Sequence, residues 1–293
     1  NDNNFLAYVA STNPDTTIGK ISVWGGVKSN PYSISLLVDN AIGTVPSSWE
    51  STYVGALANV LQVRNGTLFF PYTGLGPSGW GFGVATSTDG RTWTKYAGNP
   101  VYVRGGSENA NFWPQYIMTD NSVSAAGYVF YSYTTNRPNT DGVRYLTTTD
   151  GFSYTFVGQD ILTFGGPWDT YTLEGTIIVP NGHGGADALY AGAQTSSGPW
   201  LTLAAHTDNI IGPYTKDISP AMVGIGSGWE STSVNPAVIV NPIGTPGSPF
   251  VLYYVGTDGP WSTNYNVYDT GVALISCISN QNSGFSAYGV SIQ

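Results

Sequence analysis

The sequence predicts an all-β chain folded as a five-bladed β-propeller, and three observations predict it. Apolar runs are short and rich in Val, Ile, Tyr and Thr, and no long helical period interrupts them. A unit of roughly sixty residues recurs along the chain. Each complete unit also carries an Asp- or Asn-led turn with an aromatic residue soon after it.

The units align element by element. Trp-Glu-Ser-Thr occurs at 49–52 and again at 229–232, each time before an apolar strand, 54–63 and 234–240. Trp168-Asp169-Thr170 stands before 176–179, and Ser107-Glu108-Asn109 before 114–118. A second, aromatic strand follows at 68–72, 128–133, 188–191 and 250–255, and a third at 82–87, 143–148, 201–206 and 272–278. The turn comes next. Asp89-Gly90 leads to Trp93, Asp150-Gly151 to Tyr154, Asp208-Asn209 to Tyr214, and Asn282-Ser283-Gly284 to Phe285. A fourth, outer strand closes the unit. Four antiparallel strands joined by hairpins make one propeller blade.

Blades are therefore expected at 45–104, 105–163, 164–222 and 223–293, with 1–44 supplying the first, all within one domain over 1–293. Strands of the first blade are expected near 5–11, 21–25 and 32–37. The earliest matches the second strand of the other units, so the first blade is expected to be incomplete, without its innermost strand.

Composition narrows the function. Charged residues make up 9% of the chain, against roughly 25% in ordinary soluble domains. Thr, Ser, Asn, Gly and Tyr must cover the surface, which suits a harsh medium or close packing of identical copies. Hydrophobic content of 41% and aromatic content of 14% argue against disorder. The net charge of −9 and only nine basic residues exclude a phosphate-binding patch, and with it nucleic acid. No apolar run reaches the roughly 18 residues of a membrane span. The Asn-Asp-Asn-Asn start reads as a processed N-terminus, which implies an extracellular, secreted or surface-associated protein. Cys277, the one cysteine, lies in the apolar run 272–278 and reads as a buried structural thiol. Asn65-Gly66-Thr67 is a glycosylation sequon, compatible with the same setting.

The stretch 49–101 joins Trp-Glu-Ser-Thr, a strand, Leu-Phe-Phe-Pro-Tyr-Thr-Gly, then Gly-Val-Ala-Thr-Ser-Thr-Asp-Gly-Arg-Thr-Trp-Thr-Lys-Tyr and Asn-Pro-Val. This order resembles a blade of the arabinanase/levansucrase/invertase superfamily, which includes glycoside hydrolase family 43. Residues 87–93 also resemble the Asp-box of six-bladed sialidases, but Gly90 follows Asp89 directly, where that motif has an intervening residue. The superfamily resemblance implies five blades and a site where the innermost strands begin, with an Asp base, a pKa-tuning Asp and a Glu acid.

Aligned on that position, the chain offers Gly55-Ala56, Trp113-Pro114, Glu174-Gly175 and Asn235-Pro236. Glu174 alone matches and suits the general acid; hydrolysis normally needs a second carboxylate opposite. Another set of acids, Glu50, Glu108, Asp169 and Glu230, lies about five residues upstream in the units. They could accept loop hydrogen bonds in every blade. Alternatively they form a carboxylate ring at one mouth of the channel, binding a cation or sugar hydroxyls, or include a displaced catalytic pair. Trp49, Trp113, Trp168 and Trp229 recur beside these positions, either as packing between blades or as a platform for sugar rings. His183 and His206 have no partner ligands in the sequence, so no metal site is expected, and no cofactor motif is present.

Two functions follow as expectations. The first is an extracellular structural or adhesive propeller subunit that self-associates, as a homo-oligomer or polymer, binds glycan and has lost glycosidase catalysis. The alternative is a secreted glycoside hydrolase acting on a polysaccharide with Glu174 as general acid.

Overall fold

A computed structural model describes residues 4–12, 19–27, 29–55, 61–62, 65–103, 113–118, 126–133, 142–180, 184–224, 226, 231–240, 250–257, 269–276 and 286–291. Every regular element among them is a β-strand, and the strands form five antiparallel sheets. The chain divides into two compact units, 1–133 with 144–159, and 134–143 with 160–293.

The first unit opens with a three-stranded sheet, β1 (Asn4–Thr12), β2 (Gly19–Val27) and β3 (Asn30–Gly43), in that order. The next sheet runs β4 (Tyr53–Gly55), β6 (Leu68–Gly76), β7 (Gly79–Ser87), β8 (Thr94–Lys95), with β5 (Leu61–Gln62) on β6 and β9 (Tyr102–Val103) on β7. Of the innermost strand expected over 54–63, the described residues show β4 and β5, both paired with β6, and residues 56–60, 63 and 64 lie outside the described ones. The third sheet contains β10 (Trp113–Met118), β11 (Gly127–Tyr133), β12 (Gly142–Thr148) and β13 (Tyr154–Phe156). Its β14 (Leu162–Thr163) pairs with Gly142 and Val143 in the second unit.

Two four-stranded sheets complete the second unit. One is β15 (Thr172–Pro180), β16 (Ala186–Ala193), β17 (Trp200–Thr207) and β18 (Thr215–Lys216). The other is β19 (Ser233–Val240), β20 (Phe250–Thr257), β21 (Asp269–Ser276) and β22 (Ser286–Ser291). Pairing of β22 with β21 engages the C-terminal segment in this last sheet. Cys277 lies just past β21, outside the described residues.

The second strands hold the cores. Tyr72, Tyr131, Tyr190 and Tyr254, one per second strand, are the four largest fully buried side chains among the described residues. Tyr72 packs with Ile21, Ile42, Val54, Phe70 and Ala85 in the first unit. Tyr254 packs with Ile177, Leu189, Ala204, Val234 and Leu252 in the second. Each such ring removes a large apolar area from water, worth about 1.5–3 kcal/mol.

The turns repeat atom for atom. Asp89 Oδ1 accepts the backbone N–H groups of Arg91 and Thr92, both at 2.7 Å. Ser87 Oγ accepts the Gly90 N–H at 2.8 Å, and Trp93 Nε1 donates to the Gly90 carbonyl at 3.2 Å. Asp150 Oδ1 likewise accepts from Phe152 and Ser153, Thr148 Oγ1 from Gly151, and the Tyr154 hydroxyl donates to Gly151. Gly90 and Gly151 take φ of 71° and 78°, a region open to glycine at no steric cost. In the fourth sheet Asn209 Oδ1 accepts the Ile211 N–H and no second one among the described residues, and the Tyr214 hydroxyl donates to the Ile210 carbonyl. Asn209 takes the place of Asp89, its N–H on Thr207 Oγ1 as that of Asp89 is on Ser87 Oγ, and one extra residue separates it from its aromatic; the positive φ falls on Gly212 rather than on Ile210, the counterpart of Gly90.

Strand β1 occupies the place of a second strand. Its Tyr8 hydroxyl donates to the Gly90 carbonyl at 3.0 Å, and its ring meets Trp93 at 5.5 Å. Phe69 of β6 also meets the next sheet's turn, by a ring contact with Phe152 at 5.1 Å. The free edge of β1 pairs with no strand among the described residues.

Candidate functional site

Strand register fixes one equivalent position on four innermost strands. Gly55 pairs with Thr73, Trp113 with Ser132, Glu174 with Ala191 and Asn235 with Val255. Each partner is the residue immediately after the buried tyrosine of its second strand, so the ladders reproduce the sequence alignment. One position in four holds a carboxylate.

Glu174 sits at a β-bulge. The ladder slips between Glu174 and Ile177, and Gly175 takes φ of 60°. A bulge re-aims the side chain beside it. The carboxylate is half-buried, with Thr172 Oγ1 at a long 3.5 Å. Asn235 has a similar setting, since its ladder slips between Pro236 and Val238. The Asn235 Oδ1 atom is buried and has no hydrogen-bond partner among the described residues. An acceptor left so costs about 1–3 kcal/mol, which a ligand donor or a water would recover. In the sequence Asn235-Pro236 falls in the place of Glu174-Gly175, but nothing there shows that the Asn235 amide oxygen is buried.

The upstream acids are held by lysines. Glu50 is 3% exposed, and Lys95 of β8 lies 2.5 Å from its Oε1 while also donating to the Gly43 carbonyl. Asp169 is 1% exposed, with Lys216 of β18 2.5 Å from Oδ2 and the Gly166 N–H on Oδ1. Each ammonium also lies over the ring of its sheet's buried tyrosine, 5.6 Å from Tyr72 and 5.9 Å from Tyr190. Burial, and then the adjacent carboxylate, pushes both phenols far above their ordinary value. In the third sheet Phe156 stands where the lysines do, and the Arg144 guanidinium instead lies 4.1 Å over Tyr133.

The tryptophans are placed by packing. Trp49 lies 5.8 Å from Tyr72, and a Cβ at Gly83 would come within 2.8 Å of its indole. The glycines of β6 and β7 thus make room for this ring. Trp168 is half-buried and its Nε1 donates to the Ile218 carbonyl at 3.1 Å. Glu108, Trp229, Glu230 and His183 lie outside the described residues, as does the side chain of Trp113. His206 Nδ1 lies 3.2 Å from Asp217 Oδ1. Burial, opposed by His206, raises the nearby Asp187 carboxyl above its ordinary range. No group of three His, Cys, Asp or Glu residues among the described ones could hold a metal. No helix among the described residues is long and apolar enough to cross a membrane.

This architecture is the β-propeller fold of family-43, family-32 and levansucrase-type enzymes. A thermostable family-43 glycoside hydrolase superposes with a TM-score of 0.67 at 13% identity, over 100% of this chain and 91% of that one. A substituted B. megaterium levansucrase gives 0.67 at 10% identity, over 98% and 80%. The Bombyx mori GH32 beta-fructofuranosidase gives 0.64 at 16% identity, over 94% of this chain and 58% of that one. No protein-family model matches the sequence, and no curated protein matches it either.

Proposed function

We propose that the chain is a glycan-binding propeller on a glycosidase scaffold, with no two-carboxylate hydrolysis, serving outside the cell as a self-associating structural or adhesive subunit. One observation carries the reading: of four register-equivalent positions, only Glu174 is a carboxylate. Cleavage normally needs an acid and a second carboxylate about 5–10 Å apart. Glu50 and Asp169, buried and paired to lysines, are poor substitutes for the missing member. Glu174 and Asn235 retain what sugar binding needs, a carboxylate to accept from hydroxyls and an amide with an unused acceptor. The low charge of the chain favours close packing of copies.

The test pairs binding with turnover. Wild-type protein and Glu174→Gln are assayed for retention by arabinan, fructan and related polysaccharides in affinity gels, and for release of sugar. Retention without release is the expected result. A second reading, hydrolysis with Glu174 as general acid, draws on the bulge that re-aims this side chain. Release by the wild type, reduced by about 10²–10⁴ in Glu174→Gln, would establish that reading and overturn ours.

A further inference from the structure

We infer that Asn65 is an N-glycosylation site, built on the turn that leads into β6. The sequence places Asn65-Gly66-Thr67 immediately before Leu68, the first residue of that strand. Asn65 is exposed, so an acceptor nitrogen there is within reach of a transferase on the folded chain. Its Oδ1 accepts the Thr67 N–H at 3.0 Å, closing an Asx turn that holds the three sequon residues in a compact arch. That hydrogen bond occupies the carbonyl end of the amide, and Nδ2 donates to no group among the described residues. Gly66 takes φ of 80°, and beyond its two chain neighbours no heavy atom of the described residues lies within 4 Å of where its Cβ would be. The space over the arch is therefore open to a bulky substituent. Unlike Asn99, whose Nδ2 donates to the Tyr72 hydroxyl and the Val84 carbonyl, Asn65 commits only its Oδ1 among the described residues, and that bond to Thr67 does not involve the nitrogen a sugar would occupy.

The reaction is a substitution at the anomeric carbon of an N-acetylglucosamine-terminated oligosaccharide carried on a polyprenyl pyrophosphate. The Asn65 Nδ2–carbon bond forms and the carbon–oxygen bond to pyrophosphate breaks. The polyprenyl pyrophosphate leaves with the electron pair, and one Nδ2 proton passes to the transferase or solvent. No redox partner is needed. The glycan would project from an exposed turn and add a hydrophilic cover to a surface with few charges.

Asn-Gly in an exposed turn is also prone to spontaneous deamidation, which converts Asn65 to Asp without any sugar. The experiment must separate the two. Full-length protein is secreted from a eukaryotic host, treated with peptide N-glycosidase in oxygen-18 water, and the peptide containing Asn65 is weighed. Expected is a heavy-oxygen Asp at 65 appearing only with enzyme, together with loss of glycan mass from the intact protein. Asn65→Gln and Thr67→Ala should each lack the glycan, while Thr67→Ser keeps it. Secretion of folded protein with Asn65 unmodified, or with light Asp formed equally without enzyme, would overturn the inference. Equal thermal midpoints for wild type and Asn65→Gln made in bacteria would show that the variant folds and that its missing glycan reflects the site.

Discussion

Lys95 and Lys216 stand in the same register of their sheets, paired with Ala85 and Ala205, and each binds a buried acid about 45 residues earlier in the chain. Removing either lysine would leave Glu50 or Asp169 buried and unpaired. Lys95→Met and Lys216→Met should each destabilise by about 3 kcal/mol, the low end for breaking a buried pair, because each lysine side chain is partly exposed. The double change Glu50→Gln with Lys95→Met should recover most of that loss. Urea denaturation of the three variants measures it. A single lysine variant with an unchanged midpoint would show that the pair contributes nothing.

This relationship shows where the sequence was legible and where it was not. Trp-Glu-Ser-Thr and the Asp-Gly turns are local signals, and they placed the strands of four sheets within a few residues. The acids were visible as a recurrence, but their lysines were not. Glu50 meets Lys95 only after the chain has traversed β6 and β7, so the pairing depends on register rather than spacing. Phe156 in the equivalent place of the third sheet breaks the pattern further.

Acid should weaken the turns. The Asp89 carboxyl is held well below its ordinary range by the Thr92 and Arg91 N–H groups and the Ser87 hydroxyl. Burial opposes the shift at Asp150, where the Ser153 and Phe152 N–H groups still keep the carboxyl low. A depressed folded pKa contributes stability that is present above the unfolded value, about 3.9, and lost as pH falls below it. The thermal midpoint should therefore drop between about pH 4 and pH 2. Asp89→Asn with Asp150→Asn should flatten that dependence while keeping an acceptor at each turn. An equally steep drop in the double variant would assign the acid sensitivity elsewhere.

Asn235 separates a binding role from a structural one. Its Oδ1 is buried without a partner, so Asn235→Leu removes an unsatisfied acceptor at similar volume. Stability should stay level or rise by up to about 1 kcal/mol, while retention by polysaccharide falls. Calorimetric midpoints and affinity gels on the same preparation read both quantities. Loss of stability with binding intact would make Asn235 a packing residue and withdraw it from the site.

Among the described strands at the outer edge of a sheet, β3 is the longest. It spans 14 residues at the edge of its sheet, whereas β8, β13, β18 and β22 span 2, 3, 2 and 6 at the corresponding edge. Leu36 is 48% exposed and Leu37 39%, within the uncharged run Ile34-Ser35-Leu36-Leu37-Val38. An extended, uncharged edge strand is a template for another strand. Its register slips three times against β2, a feature that bends an edge and limits how much of it can pair. Self-association through β3 should thus be short-ranged and sensitive to one charge. Leu36→Lys should shift wild-type oligomers to monomer in light scattering at high protein concentration, with circular dichroism unchanged. Wild-type protein that is monomeric under those conditions would refute self-association, and oligomers that survive Leu36→Lys would move the contact to another surface.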